Sequence, residues 1–385
     1  MGVYLYGHHR DDYKNMARKR VWYIGGFEMP DKNAAAQRVV ANAMTLREMG
    51  FEVAFIGPTK DRLNAIEEFC GFKCDYIDYP QTLKEWVKYI TEFIQIDKIL
   101  GCNPDYVVLY NFPAIASLKI RNACHKRGIK VFQDLTEWET SIGWSPREII
   151  RKIDINFRMY YCLKKMDGII AISRYLFEYY SRFTKTILIP PTVDLNNPKF
   201  NRDRILKSNT PLQLVYAGSI GAGNKERLDC IINTVSKINS LKLTIVGLTV
   251  EQYEDAYGRL PNECSNIEFK GRVPHKEAVS IVCQSDFQML IRENTLKNKA
   301  GFPTKFVESM SCCTPLIATL SSNIGDYLVD GENGYIVDDI NSLQSVLEKV
   351  SKLSNDEVIE MKENCRNFAG FDYRNYKKEF SKLFY

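Results

Sequence analysis

The sequence predicts an α/β protein made of two doubly wound domains, each with a parallel sheet covered by helices. Short apolar strands alternate with helical patterns along the whole chain, the order that such sheets require. One Pro- and Asn-rich stretch, 186–198, interrupts the alternation and is typical of a linker. The length of 385 residues fits two or three domains of about 100–200 residues. We therefore expect a first domain over 1–195, a second over 196–370 and a terminal segment over 371–385.

The first half reads as repeated β-α units. Apolar runs bounded by turn residues predict the strands, and a helical period predicts the segments between them. The clearest helix covers 34–50, where Gly50 marks the C-terminal stop. The predicted strands are 20–27, 51–58, 106–113, 129–135 and 168–173.

The second half restarts the same rhythm after the linker. A helix that ends near Ile238 follows its first strand, and the segment 371–384 predicts a short amphipathic helix. The predicted strands are 212–218, 241–247, 266–271, 287–291, 315–319 and 334–337.

Composition excludes several classes of protein. Hydrophobic residues make up 45% of the chain and charged residues 26%, which is ordinary for a globular protein and argues against a disordered, collagen-like or coiled-coil chain. No apolar run is long enough to span a bilayer, and the N-terminal region lacks the apolar core of a secretory signal. The eleven cysteines include no C-x-x-C, so we expect reduced thiols and a cytoplasmic protein.

Metal and nucleic-acid sites are not expected. The four histidines have no cysteine or carboxylate neighbours at ligand spacing. The sequence pI of about 8.5 is lower than the pI that is usual for a nucleic-acid-binding domain, and no base-stacking motif is present.

The positive charge of the chain lies in its first half. Residues 1–195 hold 28 basic and 23 acidic residues, whereas 196–385 hold 24 of each. Within 147–185 nine basic residues oppose four acidic ones. A basic amphipathic helix there can lie on an anionic membrane surface; the alternative is a surface helix with a solvated basic face. The apolar residues of the pattern are Ile149, Ile153, Phe157, Tyr160, Tyr161 and Leu163, interleaved with Arg151, Lys152, Arg158, Lys164 and Lys165.

Ligands of open α/β sheets bind beyond the carboxyl ends of strands, and a glycine-rich loop follows strand 212–218. It contains Gly218, Gly221, Gly223 and Lys225 and opens a helix. Glycines at such a junction let backbone N–H groups face an anion at a helix N-terminus. The loop matches neither G-x-G-x-x-G nor the P-loop, so a turn used only for connection remains the alternative.

A second group of charged residues follows strand 287–291. Arg292 and Lys305 could neutralise a diphosphate, and Glu308 could accept two hydrogen bonds from a vicinal diol such as a ribose. Its neighbours Phe306 and Val307 are apolar, which favours partial burial, and a buried carboxylate needs a partner. A surface ion pair between Lys305 and Glu308, worth about 0–1 kcal/mol, is the alternative.

These motifs, in this order, resemble the retaining glycosyltransferases of family 4, the glycosyl transferases group 1, which have the GT-B fold. The resemblance covers about residues 20–370 and is densest over 266–337. The matching motifs of the second half are Gly271, Asp286, Pro303–Met310, Pro315–Ile317, Asp326 and Asp330–Gly334. Those of the first half are Gly25-Gly26, Asp167–Ser173 and Pro190–Asp194.

The resemblance implies two Rossmann-like domains that face each other across a cleft, with a terminal helix that packs back toward the first. The donor is a nucleotide sugar acting as co-substrate, and no metal is expected because helix dipoles and basic side chains meet its charge. Lys225 and Arg292 would lie near the diphosphate and Glu308 at the ribose. The implied donor-binding set is Gly25, Gly26, Gly221, Lys225, Arg272, Val273, Arg292, Lys305 and Glu308.

The chain also departs from the family pattern. A second glutamate, eight residues before the ribose-binding one, is replaced by Ala300. Cys313 and Ser219 replace a glycine and an arginine, and Gln133 replaces a histidine before Asp134. On the acceptor side we expect Asp134 and Glu137 to be the catalytic candidates, with ordinary strand-end polar residues as the alternative.

The implied function is transfer of a sugar from a nucleotide sugar to a glycan or lipid-linked acceptor. The resemblance implies that the transfer retains the anomeric configuration and needs no metal, and a UDP-sugar is the donor expected first. The setting would be bacterial-type surface polysaccharide synthesis, in the cytoplasm or peripherally on the inner face of the membrane. The departures favour an alternative, a catalytically degenerate GT-B subunit that binds nucleotide sugar or scaffolds a partner glycosyltransferase. A GT-B epimerase is a third interpretation.

Overall fold

The computed structural model describes residues 18–30, 33–139, 143–202, 209–219, 226–261 and 264–385. Among them, the first sheet has eight strands. They are β1 (Arg20–Gly25), β2 (Glu52–Thr59), β3 (Glu68–Phe69), β4 (Phe72–Asp78), β5 (Tyr106–Tyr110), β6 (Lys130–Leu135), β7 (Gly168–Ala171) and β8 (Thr186–Leu188). Their order across the sheet is β3-β4-β2-β1-β5-β6-β7-β8, and only the short β3–β4 pair is antiparallel in this described sheet.

Helices cover the first sheet. The longest, α1, starts where the Asn33 side chain accepts a hydrogen bond from the Ala36 N–H. It ends before Gly50, whose φ of 92° lies in the left-handed region that stops a helix. The helices of this domain are α1 (Ala34–Glu48), α2 (Leu83–Thr91), α3 (Ile96–Gly101), α4 (Ala114–His125), α5 (Pro146–Phe157) and α6 (Arg174–Tyr180).

The second sheet has six parallel strands in the described residues, in the order β11-β10-β9-β12-β13-β14. They are β9 (Leu212–Ala217), β10 (Leu241–Val246), β11 (Ile267–Gly271), β12 (Phe287–Leu290), β13 (Leu316–Thr319) and β14 (Gly334–Val337). The helices that follow are α7 (Leu228–Val235), α8 (Val250–Tyr257), α9 (His275–Gln284), α10 (Leu296–Ala300), α11 (Thr304–Ser311), α12 (Leu343–Val350), α13 (Asn355–Asn367) and α14 (Lys377–Phe384).

Two doubly wound parallel sheets confirm the predicted fold class. Within the second sheet the strand order reverses between β9 and β12, and such a reversal opens a crevice at the carboxyl ends of the strands. Two details of the prediction were wrong. The stretch 186–198 is not all linker, because its first residues form β8, a strand too short to stand out before two prolines. The strands β3 and β4 were not predicted.

An apolar cluster joins the two domains. Trp138 and Leu176 of the first domain belong to the same buried cluster as Phe302 and Phe306 of the second. Polar contacts flank it: the Ser173 hydroxyl donates to the Ala300 carbonyl at 2.6 Å. Burial on this scale holds the domains together on one side of the cleft.

The chain crosses between the domains twice at nearly the same place. The backbone of Val193, on the way out, exchanges hydrogen bonds with Phe371 and Tyr373 on the way back, at 2.9 and 3.1 Å. After this return α14 packs on the first sheet, where Phe380, Leu383 and Phe384 are buried in its core. The Tyr106 hydroxyl donates to the Phe384 carbonyl at 2.7 Å.

The eleven cysteines all lie in described residues and are free thiols. In the part of the chain that the structure describes, we find no helix that combines the length and apolar character needed to cross a bilayer.

Candidate functional site

A cavity of about 880 Å³ opens at the carboxyl ends of the second sheet. The start of α1, in the first domain, faces it through Asn33, Ala34 and Gln37. Its volume is in the range of small-molecule sites. The second domain lines it with the ends of β9, β10 and β12 and with residues of α9 and α11; these include Tyr216, Gly218, Glu226, Gly247, Arg272, Val273, His275, Arg292, Lys305 and Glu308.

Glycines at the strand ends keep the floor of the cavity open. A Cβ on Gly218 would overlap the end of the Lys305 side chain. Gly247 has a φ of 102°, and its Cβ would lie 2.5 Å from the Gly218 carbonyl oxygen. The Gly247 N–H donates to the Gly271 carbonyl at 2.7 Å, so neighbouring strand ends are tied by their backbones. The absence of a side chain at Gly218 is what leaves room for the end of Lys305 at the cavity.

Three charged side chains form a buried triad at the β9–β12 crevice. Glu226 is only 6% exposed, and its two carboxylate oxygens accept from Arg292 Nη2 and Lys305 Nζ, both at 2.5 Å. Arg292 lies two residues beyond the end of β12 and is fixed by a hydrogen bond from its backbone N–H to the Thr319 hydroxyl, at 2.7 Å. Lys305 projects from the first turn of α11 and lies 4.4 Å from the centre of the Tyr216 ring. The triad holds both cations in fixed positions at the cavity wall.

The triad has a formal net charge of +1, from two basic side chains and one carboxylate. Burial alone would raise the pKa of Glu226, but Lys305 and Arg292 bring it down to about 2, so the carboxylate is ionised at neutral pH. Burial lowers the pKa of Lys305, against the attraction of Glu226. Burial also raises the pKa of Tyr216, with Glu226 adding to the rise. One positive charge is therefore left for an anionic ligand.

Glu308 lies on the same side of α11 as Lys305 but has a different partner. Its Oε1 is 2.8 Å from Nε2 of His275, at the start of α9. The Glu308 side chain is 26% exposed, so it can still meet a ligand in the cavity. The surface ion pair between Lys305 and Glu308 does not form, because Lys305 pairs with Glu226 and Glu308 pairs with His275.

Five of the predicted donor-binding residues come together at this cavity: Arg272, Val273, Arg292, Lys305 and Glu308. Gly221 and Lys225 lie outside the described residues. Gly25 ends β1 and Gly26 follows it; neither is among the residues that line the cavity. Gly25 has a packing reason instead: its Cβ would lie 2.5 Å from the Tyr110 carbonyl oxygen of the neighbouring strand.

Asp134 is buried inside the first domain, away from the cavity. It is 0% exposed and accepts hydrogen bonds from Tyr23 at 2.5 Å, from Arg38 at 2.8 Å and from Asn42 at 3.1 Å. Such a carboxylate compensates a buried guanidinium and has no surface left for an acceptor. The catalytic role predicted for Asp134 does not fit this position. Glu137, just beyond β6, is half-buried and is not a cavity-lining residue either.

Sequence reasoning missed three residues of the site. Glu226 directly follows Lys225, and an acid beside a predicted phosphate loop was a usable signal. His275 directly follows Pro274 and starts α9, and a histidine at a helix start is well placed to reach a neighbouring helix. Tyr216 looked like an ordinary strand residue. Within the described ranges no three His, Cys, Asp or Glu side chains are grouped so as to hold a metal ion.

The second domain matches a known sequence family. Residues 211–356 match the model of Glycosyl transferases group 1. A relative with a related sequence is an uncharacterised glycosyltransferase of Methanocaldococcus jannaschii, which is 27% identical over 155 residues. That match covers 40% of this chain and 40% of the relative.

Solved structures resemble the whole chain. Sucrose-phosphate synthase from Thermosynechococcus elongatus superposes with a TM-score of 0.69 at 14% identity, over 95% of this chain and 98% of that one. Anabaena HepE in complex with UDP-glucose gives a TM-score of 0.61 at 10% identity, over 95% and 99%. At such identities the likeness concerns the fold. The chain therefore has the GT-B fold, and its second domain has the sequence pattern of Glycosyl transferases group 1.

Proposed function

We propose that the protein is a glycosyltransferase that takes a nucleotide sugar as its donor. One observation carries this proposal: the cavity between the domains gathers Arg292, Lys305 and Glu308 at the strand-order reversal of the second sheet. Two cations for a diphosphate and a carboxylate for a diol are the groups that a nucleoside diphosphate requires. The group 1 sequence match over the same domain supports the proposal.

In the proposed complex the diphosphate lies against Arg292 and Lys305. The ribose hydroxyls donate to Glu308, which His275 orients from 2.8 Å. The base lies beside the backbone of Arg272 and Val273. The sugar then extends toward the first domain, where the N-terminus of α1 faces the cavity with a positive dipole end.

The proposed transfer proceeds with retention and without a metal ion. At the position where the family often has a second glutamate, Ala300 is 0% exposed, and its carbonyl accepts from Ser173. We therefore assign the proton transfer to the donor itself. The acceptor hydroxyl gives its proton to a donor phosphate oxygen, the bond from the anomeric carbon to the diphosphate breaks, and the acceptor oxygen bonds to that carbon on the same face. Arg292 and Lys305 stabilise the departing diphosphate.

For the acceptor we propose a glycan or a lipid-linked intermediate of surface polysaccharide synthesis, met in the cytoplasm or at the inner face of the membrane. The excess of basic residues in the first domain supports an anionic acceptor or surface. A UDP-sugar is the first donor to test, because a structural neighbour, Anabaena HepE, is in complex with UDP-glucose.

Calorimetric titration of UDP, GDP and dTDP, with EDTA present, tests the donor site. We expect one nucleotide to bind, and Glu308→Gln to weaken that binding about tenfold or more, because the ribose loses a charged acceptor. The matched control is Glu360→Gln, an exposed glutamate of α13, which leaves the affinity unchanged. Failure of all three nucleotides to bind, or equal binding by both variants, contradicts the site.

A second function is favoured by two features of the second domain. Glu226 already neutralises one of the two cations, and Ala300 supplies no carboxylate. A subunit that binds nucleotide sugar or scaffolds a partner would show both. Incubation with the sugar form of the bound nucleotide separates the two functions: release of nucleotide, with a product of the donor's anomeric configuration when an acceptor is added, supports transfer, whereas tight binding without release supports the scaffold.

A further inference from the structure

Helix α5 and the π-helical turn that continues it, Arg158–Cys162, have two apolar sides. The inner side packs on the domain through residues such as Ile155 and Met159, which are buried in the cluster shared by the domains. The other side faces away from the protein. We call it the outer stripe; it consists of Ile149, Ile150, Ile153, Phe157, Tyr160 and Tyr161, all of them exposed.

The outer stripe is not needed to hold the helix in place. Its central residues Ile150 and Ile153 are 59% and 63% exposed, so their side chains contribute little to folding. Their spacing of three to four residues keeps them on one face of the helix. A continuous exposed apolar face of this kind marks an interaction site, since scattered exposed apolar residues do not align along one helix.

Cations and aromatic rings border the outer stripe. Trp144, just before α5, is 84% exposed, with Lys152 Nζ 5.3 Å from its ring centre. At the other end Lys165 Nζ is 5.4 Å from the ring of Tyr161. Phe157 and Tyr161 stack at 5.2 Å. Aliphatic side chains flanked by amphipathic rings and lysines match the layered polarity of a membrane interface.

The stripe is anchored at the cleft-facing edge of the first sheet. Arg158 donates to the Asn111 carbonyl, just after β5, at 3.1 Å. It also pairs with Glu139, just after β6, at 2.8 Å. Because the carboxyl ends of these parallel strands point toward the other domain, a surface bound by the stripe lies beside the opening between the domains.

We propose that the outer stripe docks on an anionic lipid bilayer. The apolar residues enter the boundary between headgroups and acyl chains, and the exposed cations beside the stripe, Lys152 and Lys165, pair with the lipid headgroups. The segment 147–185 as a whole holds nine basic against four acidic residues. The charge decides between occupants: a second copy of this face would bring the same positive charge against itself, whereas an anionic bilayer complements it. The inference stands apart from the transfer reaction, since it concerns a surface outside the cavity.

Flotation of the purified protein with vesicles tests the proposal. We expect binding to phosphatidylcholine vesicles that contain phosphatidylglycerol, weak binding to phosphatidylcholine alone, and loss of most binding at high salt. The triple variant Ile150→Ser/Ile153→Ser/Phe157→Ser should bind the anionic vesicles about tenfold less or weaker. Its matched control is Leu83→Ser/Val87→Ser, two exposed apolar residues of α2, which should bind like the unaltered protein.

A charge variant and a measurement of the oligomeric state complete the test. Lys152→Gln/Lys165→Gln should weaken vesicle binding, whereas Lys352→Gln/Lys378→Gln, equally exposed elsewhere, should not. Circular dichroism melts check that the variants fold. Absence of binding to anionic vesicles overturns the proposal, as does equal binding by the triple variant. A dimer in light scattering that the triple variant converts to monomer, without vesicle binding, overturns it in favour of self-association.

Discussion

At the scale of single residues, Glu226 sets the electrostatics of the cavity. Burying this carboxylate costs desolvation free energy, and the two charged hydrogen bonds that it accepts from Arg292 and Lys305 offset that cost. Without it, Arg292 and Lys305 would repel each other in a site where Lys305 is already poorly solvated. Glu226 therefore fixes where the cations stand and limits how strongly the cavity attracts any anion.

Glu226→Gln should make the protein less stable at neutral pH, and the loss should shrink in acid. The pKa of Glu226 is about 2 in the folded protein against an ordinary 4.5. Its stabilising contribution is therefore complete above pH 4.5, is lost as the pH falls toward 2, and amounts to on the order of 3 kcal/mol. Urea unfolding at several pH values measures it. A stability difference that stays constant with pH contradicts the assignment; Glu360→Gln is the control.

At the scale of elements, two neighbouring glycines at the strand ends of the second sheet have different structural roles. Gly218 makes room for a side chain, since a Cβ there would meet the flexible end of Lys305. Gly247 makes room for backbone, since a Cβ there would meet the Gly218 carbonyl, and its φ of 102° suits glycine alone. One position serves the site and the other serves the fold.

Alanine at the two positions should separate these roles. Gly218→Ala should push Lys305 aside and reduce nucleotide affinity, with a smaller loss of stability than Gly247→Ala because the flexible end of Lys305 can shift while it stays paired with Glu226. Gly247→Ala should cost about 2 kcal/mol or more through strain at positive φ and overlap with backbone. Thermal melts and calorimetry measure both variants. Equal destabilisation of the two would show that Lys305 cannot yield.

At the scale of the whole molecule, the first domain is completed by the far end of the chain. The ring of Phe384, in α14, lies 5.4, 5.1 and 4.9 Å from those of Phe51, Tyr106 and Phe132. The domains are held together at the two crossings beside Val193 and in the apolar cluster that they share. We therefore expect them to move relative to each other on the opposite side, where the cavity opens. Closure over a ligand would pivot at these contacts.

Phe384→Ala should destabilise the first domain by about 3–5 kcal/mol, because it leaves a cavity between three aromatic rings. Lys382→Ala, on the exposed side of the same helix, should change stability by less than about 1 kcal/mol. Denaturant unfolding followed by the fluorescence of the tryptophans measures the difference. A small effect of Phe384→Ala would mean that α14 does not pack on the first sheet in solution.

The sequence was sufficient for most of the fold and for half of the site. Strands with continuous apolar runs, such as β9 and β10, are local signals, and Arg292, Lys305 and Glu308 follow from a motif. The partners are not local. Glu226 meets Arg292 across 66 positions, and Asp134 looked like a cleft residue because nothing near it in sequence indicates that Arg38 reaches it from α1.

The return of α14 also constrains how the protein is made. Along the chain, α14 comes after the entire second domain. The ribosome therefore synthesises every strand of the first sheet long before it synthesises the helix that covers Phe51, Tyr106 and Phe132. The second domain can finish folding while the first still exposes this aromatic surface. Nascent or truncated chains are therefore the ones for which we expect chaperone binding and proteolysis, and the first domain is where both would act.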